Sequence, residues 1–388
     1  MKERIIQISF ISVFILIISV MGILTIINDN ELSTKEGRRL ETFKAPTLKS
    51  VLDTTYFNSL TNAYADQMAF REDLIKMYYL LNLQRYTGDV VKGENNELFL
   101  SPQIIQNETK YLNNLANITN NSVNKVAKEV TDAGSKFIFL SIPRKDVMME
   151  EYLPDTYIKG TEMYLKSIET LKENVSDDVV LVDAYNILKD KVEKPFYKTD
   201  HHMNIRGAYL VFEWLIAYVN KVGNSSIKIG KLEEEYKITS QAINGAFNRK
   251  IGQSVKAGEE ELNLTYIGSP VTYTRYEEGK KADIAVLGDK NTYASAYMGD
   301  DMAETVIDTS NDDAPNILFV GSSYTNILEA LSVYKFNKMV SIDYRHNRTG
   351  KSIADYVKEH DIDYTVFICS QSTGALNISS VKEHLGLK

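Results

Sequence analysis

Cysteine is nearly missing from this sequence: Cys369 is the single one among 388 residues. That excludes an internal disulfide and any cysteine-rich metal centre. Cys369 ends the apolar run Tyr364 to Cys369 and reads as a core residue. A chain so poor in cysteine fits a bacterial envelope better than a disulfide-stapled secreted scaffold. Basic excess is missing as well. The formal net charge is −8 and the pI about 5.4, with Lys and Arg scattered rather than gathered in a stripe, which argues against a nucleic-acid partner. No internal repeat or low-complexity tract occurs. With 44% apolar and 25% charged residues the composition is globular and the length ample for a large core.

What is present first is an uncharged apolar run from Ile5 to Ile27. At a helical rise it spans roughly 30 Å, the thickness of a bilayer's hydrocarbon. Lys2 and Arg4 precede it, and Asp29 and Glu31 follow. The positive-inside bias therefore predicts a cytoplasmic tail at 1–4, a transmembrane anchor at 5–27 and the remainder outside. A cleaved signal peptide is the alternative, but the run is longer than an h-region and Thr25-Ile-Ile27 lacks a small-x-small cleavage site.

Behind the anchor, residues 28–89 read as a polar juxtamembrane linker followed by a helical stalk from about Leu48 to Leu83. From residue 90 the pattern changes. A short strand at Glu97 to Leu100 precedes a polar helix from about Ser101 to Ala133. Strands are predicted at Lys136–Ile142, Val179–Asp183, Asn316–Val320, Met339–Asp343 and Tyr364–Cys369. Helices are predicted at Glu162–Val175, Asn204–Val222, Asn326–Tyr334 and Ser352–Glu359. Alternation of buried strands and helices implies an α/β fold with a parallel sheet and flanking helices. Residues 223–310 interrupt the alternation as an irregular β-rich insertion within a domain at 90–388.

Two segments carry the types of residue that chemistry needs, each just past a strand or before a helix, where open α/β sheets place their sites. In Val320-Gly321-Ser322-Ser323-Tyr324, Gly321 permits a tight turn and Ser323 stands beside free N–H groups at a helix start. A nucleophilic serine and an ordinary serine cap both fit this pattern. In Lys198-Thr-Asp200-His201-His202-Met-Asn204, two of the five histidines adjoin a carboxylate. Asp200 and His202 supply the acid and base a serine nucleophile requires, with a capping loop as the structural alternative. If the segment is extended, His201 points away from its neighbour and lends structural support.

The order of Glu36-Gly-Arg-Arg-Leu40, Asp66-Gln-Met-Ala-Phe-Arg71, Val91-Lys-Gly-Glu-Asn-Asn-Glu-Leu-Phe99, Pro143-Arg-Lys145, Tyr152-Leu-Pro154, the Asp-His-His run, Gly321-Ser-Ser323 and Asp343-Tyr-Arg345 resembles the DHHW-motif proteins of Gram-positive bacteria. It is more distantly similar to the alginate O-acetylation proteins, which share an SGNH-hydrolase-like domain. The resemblance implies that Asp200 orients His202, that His202 is the general base, and that Ser323 attacks an acetyl carbonyl to form an acetyl-enzyme. The serine then comes last in the chain, reversed from ordinary SGNH esterases. Met203 replaces the usual aromatic at the fourth position of the motif, and Ser322 replaces the aspartate common before the nucleophile. Gly321, Tyr324, Lys145, Arg345, Gln371 and Gly299 are candidates for the substrate pocket or oxyanion site.

The activity implied is extracytoplasmic O-acetyl transfer to a cell-envelope or exported polysaccharide. No cofactor is expected. The donor's partner would be a polytopic membrane-bound O-acyltransferase, since a single span has no channel for an acyl donor. An acetyl-esterase with the same triad and a non-catalytic glycan-binding or assembly protein are the competing readings. Asp-His-His also occurs in metal-dependent phosphoesterases, but no Asp-x-Asp lies upstream of it. Nothing in the spacing of His346, His360 and His384 supports a zinc site, so no metal is expected.

Overall fold

The computed structural model describes residues 2–33, 38–81, 90–101, 105–223, 225–256, 258–288, 291–299, 303–347 and 349–370. Its contacts divide into two units, Met1–Val91 with Ala246–Lys256, and Lys92–Gly245 with Ala257–Lys388. The segment Ala246–Lys256, inside the expected insertion, thus groups with the N-terminal unit.

The first unit begins with one helix, Lys2–Ile27, long and apolar enough to cross a membrane and exposed along nearly its whole length. A membrane anchor and a signal sequence both satisfy that test. Two short strands follow, β1 (Leu32–Ser33) and β2 (Arg38–Arg39). The expected linker is pinned by Gln67. Its Nε2 donates to the carbonyls of Asn30 and Glu41, and its Oε1 accepts from the N–H of Asn30. The helical stretch expected from about Leu48 to Leu83 consists of three helices, Leu48–Leu52, Thr55–Gln67 and Arg71–Leu80. They are separated where Thr54 and Phe70 adopt left-handed backbone (φ 65° and 57°), which no helix interior accommodates.

In chain order the remaining strands are β3 (Val90–Lys92), β4 (Leu98–Leu100), β5 (Lys136–Ile142), β6 (Val179–Asp183), β7 (Tyr236–Ala242) and β8 (Glu259–Tyr266). After them come β9 (Thr274–Glu277), β10 (Lys280–Ala282), β11 (Glu304–Asp308), β12 (Ile317–Val320), β13 (Lys338–Ile342) and β14 (Tyr364–Ser370). The second unit is built on an eight-stranded sheet ordered β10-β9-β11-β13-β12-β14-β5-β6. Its five strands β13, β12, β14, β5 and β6 are parallel, as the α/β alternation predicts. Phe139, Phe367, Val320 and Ile342 lie in register across four of them, and Phe137 and Phe139 lie against Phe367 at ring centroids of 6.1 and 5.2 Å. Burial on both faces explains why these strands read as continuous apolar runs.

The expected β-rich insertion is partly a hairpin, β7 with β8, and partly an extension of the main sheet. β11 pairs antiparallel with β13, and β9 and β10 follow it outward. The helix expected from Ser101 to Ala133 starts only at Glu108, capped by the Asn107 side chain, and passes through a π-helical turn at Thr119–Val123. β5 connects outward to β6, whereas β12 connects the opposite way to β13, and β14 closes between them. Connections that diverge in this way leave a crevice beyond the carboxyl ends of the middle strands.

Candidate active site

Ser323 sits in that crevice, directly after β12. Gly321 opens the turn, and a Cβ there would meet Thr325 Cγ2 at 2.7 Å and the Ile368 carbonyl at 3.1 Å. The turn closes by the Thr325 N–H donating to the Ser322 carbonyl at 2.8 Å, supported by the Thr325 hydroxyl on the same oxygen at 2.9 Å. The helix Asn326–Ser332 begins immediately after. Among the described residues, none accepts from the backbone N–H of Ser323 or Tyr324.

Asp200 and His202 stand at the tip of a small loop whose base is an antiparallel bridge between Phe196 and Met203. Both bridge residues are buried, so Met203 works as an anchor. Asn204 ends the loop by accepting from the Gly207 N–H at 3.0 Å, which caps the helix Ile205–Gly223. Gly245 packs so close that a Cβ would meet the Thr199 carbonyl at 2.2 Å. Lys145 lies beneath the loop, fully buried. Its ammonium donates to the carbonyls of Tyr197 (2.7 Å) and Lys198 (2.6 Å) and pairs with Glu97 at 2.9 Å. Burial pulls its pKa down, with Glu97 the largest opposing influence.

The loop and the turn meet. His202 Nδ1 is 2.7 Å from Asp200 Oδ1, and His202 Nε2 is 2.9 Å from Ser323 Oγ. Asp200 is buried and also accepts from the N–H groups of His201 (2.7 Å) and His202 (3.2 Å). With Nδ1 facing a carboxylate, the imidazole presents its other nitrogen to the serine as an acceptor. The phenol ring of Tyr293 lies flat on the His202 ring, centroids 3.7 Å apart and 2° from parallel, and fixes its plane.

The other expected residues are distributed unevenly. His201 does not point away from its neighbour: the segment bends rather than extends, its ring lies 3.9 Å from that of His202, and its Nδ1 is 3.3 Å from Asp200 Oδ1. Tyr324 packs its ring 5.1 Å from His202, and burial raises its phenol pKa. Lys145 positions the loop from below, with its ammonium occupied there. Arg345 grips Asp343 through Nε at 2.9 and 3.0 Å, and that carboxylate lines the cavity beside Ser323. Gly299 lines the same cavity. Its N–H is already donated to the Tyr297 and Ala294 carbonyls, so it offers its carbonyl, which accepts from Asn326 Nδ2 at 2.7 Å. Gln371 lies outside the described residues, as do His384 and the side chain of Cys369.

Three neighbours were not legible beforehand: Tyr293, Asn326 and Glu329. Asn326 and Glu329 line a cavity of about 30 Å³ with Ser323, Gly299, Ser341 and Asp343, room for one or two waters. The Glu329 carboxyl accepts from the Ser341 hydroxyl at 2.7 Å, and burial pushes its pKa up to about 7. Tyr293 belongs to the segment read as irregular, and its hydroxyl accepts from the Ile327 N–H at 3.3 Å.

Asp200, His201 and His202 also bring three possible metal-ligand atoms within 4.8 Å of one another. Both ring nitrogens of His202 are engaged, one by Asp200 and one by Ser323. A metal taking either would break the chain of hydrogen bonds.

Residues 90–343 match the family model described as the SGNH hydrolase-like domain of the acetyltransferase AlgX. Among solved structures, the chain is similar to PatB1 of Bacillus cereus with a sulfonyl adduct, at 19% identity and TM-score 0.59, covering 75% of this chain and 98% of that one. It is similar too to a DHHW family protein of Eubacterium siraeum, at 19% identity and TM-score 0.57, covering 77% and 94%. At these identities the likeness concerns the fold. No curated protein sequence matches the chain.

Proposed function

Because the chain belongs to the family of SGNH hydrolase-like acetyltransferase domains of the AlgX type, we propose that it is an extracytoplasmic O-acetyltransferase acting on a cell-envelope or exported polysaccharide. The observation that carries the reading is the continuous contact from Asp200 through His202 to Ser323, at 2.7 and 2.9 Å. In this mechanism Ser323 Oγ attacks the acetyl carbonyl while its proton passes to His202 Nε2. The Oγ–C bond forms, and the leaving group departs with that proton from His202. A sugar hydroxyl then attacks the acetyl-serine, His202 takes its proton, and Ser323 is regenerated. Asp200 holds the imidazole in the correct tautomer and stabilises the imidazolium. The N–H groups of Ser323 and Tyr324, which have no acceptor among the described residues, receive the oxyanion in this reading.

The helix Lys2–Ile27 serves in this reading as a retained anchor, with 28–89 as stalk and 90–388 as the acetyl-transferring domain. The acetyl group is delivered by a polytopic membrane-bound O-acyltransferase, since one span cannot carry a donor across. Water in place of the sugar hydroxyl would give the esterase reaction through the same acetyl-enzyme.

The test is release of p-nitrophenol from its acetate by the full-length chain in detergent, with Ser323→Ala, His202→Ala and Asp200→Ala beside it. Loss in all three, with acetate found on Ser323 by mass spectrometry, is the expected result. The B. cereus PatB1 structure contains a sulfonyl adduct, and a sulfonyl fluoride should likewise label Ser323 here. Equal turnover by wild type and variants would refute the triad and leave a non-catalytic glycan-binding protein.

A further inference from the structure

Away from Ser323 the second unit carries an open groove of about 580 Å³ between the edge strand β6, the short helix Ala184–Leu188 and the helix Ile205–Gly223. That volume is in the range of small-molecule sites. Trp214, the only tryptophan of the chain, lines the groove with Leu210 and Ala217. Trp214 stacks on Tyr218 with ring centroids 5.4 Å apart and planes 8° from parallel, which holds the indole as a fixed plate. Around it stand Asn186, Lys191 and Glu213. Among the described residues, Lys191 Nζ, the Glu213 carboxylate and Asn186 Oδ1 have no hydrogen-bond partner. Asp183, the other acid of the lining, is already engaged by Tyr164, the Tyr185 N–H and Asn186 Nδ2.

A rigid aromatic plate with a negative π face, in a lining whose Lys191, Glu213 and Asn186 Oδ1 make no hydrogen bond among the described residues, fits a molecule with a flat C–H face and hydroxyls at its rim. A pyranose ring has both. With Asp183 and Glu213 against Lys191, the lining is net negative, which disfavours a polyanion. The groove also lies on the helix that starts just after His202: Ile205 to Trp214 is a rise of roughly 14 Å. We propose that this groove is a second glycan-binding site, taking a neutral or amino pyranose oligomer and holding the acceptor polymer apart from the acetyl-transfer centre. The class of ligand rests on the polysaccharide reading above, whereas the test does not depend on turnover.

The single tryptophan makes the site its own reporter. The full-length Ser323→Ala chain in detergent is titrated with chitotetraose, with cellotetraose and, as the anionic contrast, with a mannuronate tetramer, following Trp214 emission. A saturable change with at least one neutral oligomer, and at least tenfold weaker binding of the anionic one, is expected. Ala217 is an exposed helical position, so Ala217→Arg preserves the fold while filling the groove. It should weaken the neutral oligomer about tenfold, the effect of losing one aromatic contact. No emission change with either neutral oligomer, or an unchanged affinity in Ala217→Arg, overturns the proposal. A saturable change in the Ser323→Ala chain, beside a wild-type chain that forms no acetyl-Ser323 with p-nitrophenyl acetate, would leave the groove standing and refute the catalytic reading instead.

Discussion

Glu329→Gln is the substitution whose consequence follows most directly from the structure. Glu329 is buried beside the Ser323 turn, and burial raises its pKa from 4.5 to about 7. The Ser341 hydroxyl and Thr325 oppose that rise by bonding the ionised form, and Arg275 favours ionisation while Asp343 resists it. In the unfolded chain the carboxyl titrates near its ordinary value. Its contribution to stability is therefore fully present below pH 4.5 and is lost as pH rises through 7. At about 1.4 kcal/mol per pK unit, ionising it in the folded state costs on the order of 3 kcal/mol. Integrated from pH 5 to pH 8, the wild-type chain loses roughly 2 to 3 kcal/mol through this one group. Glutamine keeps the shape and an acceptor for Ser341 but does not titrate. Urea unfolding of both chains, followed by Trp214 emission between pH 5 and 8, should show the variant gaining on the wild type by roughly 2 to 3 kcal/mol across that window. A difference between the two chains that stays constant with pH would refute the argument.

Asp200→Asn should leave the fold intact and lower acetyl-enzyme formation about 10⁴-fold, because the amide holds the imidazole in the wrong tautomer; stopped-flow release of p-nitrophenol measures it. Lys145→Met removes the ammonium that ties two loop carbonyls to Glu97, and chemical denaturation should register a loss of about 3–5 kcal/mol, the cost of breaking a buried pair. Gly245→Ala forces its new methyl against the Thr199 carbonyl, 2.2 Å away, so the loop carrying Asp200 must shift. A displacement of about 1 Å costs roughly 100-fold in rate, and kcat should fall while the melting temperature changes less than in Lys145→Met.

The parallel strands were legible because burial on both faces writes them as unbroken apolar runs: Lys136–Ile142 and Val179–Asp183 were placed to the residue. The antiparallel edge was not, since β9 (Thr274–Glu277) and β10 (Lys280–Ala282) are short and mostly polar, β11 has only Val306 and Ile307 between polar residues, and none carries a trace of which strand it joins. Asp200, His202 and Ser323 stood out as chemistry-bearing types next to strand and helix ends. That they meet across 121 positions of sequence is a property of sheet order. The role of Lys145 was hidden for a related reason. A lysine beside a proline-arginine pair reads as a surface or pocket cation, and only the tertiary structure reveals two backbone carbonyls waiting for it. Thr54 and Phe70 divide the helical stalk into three helices without any glycine or proline to announce it.

The strand order has a consequence for when this protein first becomes whole. β14 is the latest described strand in the chain, yet it lies inside the sheet, between β12 and β5. Until Tyr364–Ser370 arrives, the strand that leads to Ser323 and the strand that leads to Lys145 have open edges turned toward one another. A nascent chain displays the Asp200–His202 loop long before that closing piece exists, by roughly 10 to 30 s at 5–20 residues per second. A chain halted short of Tyr364 lacks the strand that joins β12 to β5, and it is expected to leave Ser323 without the sheet that brings it to His202.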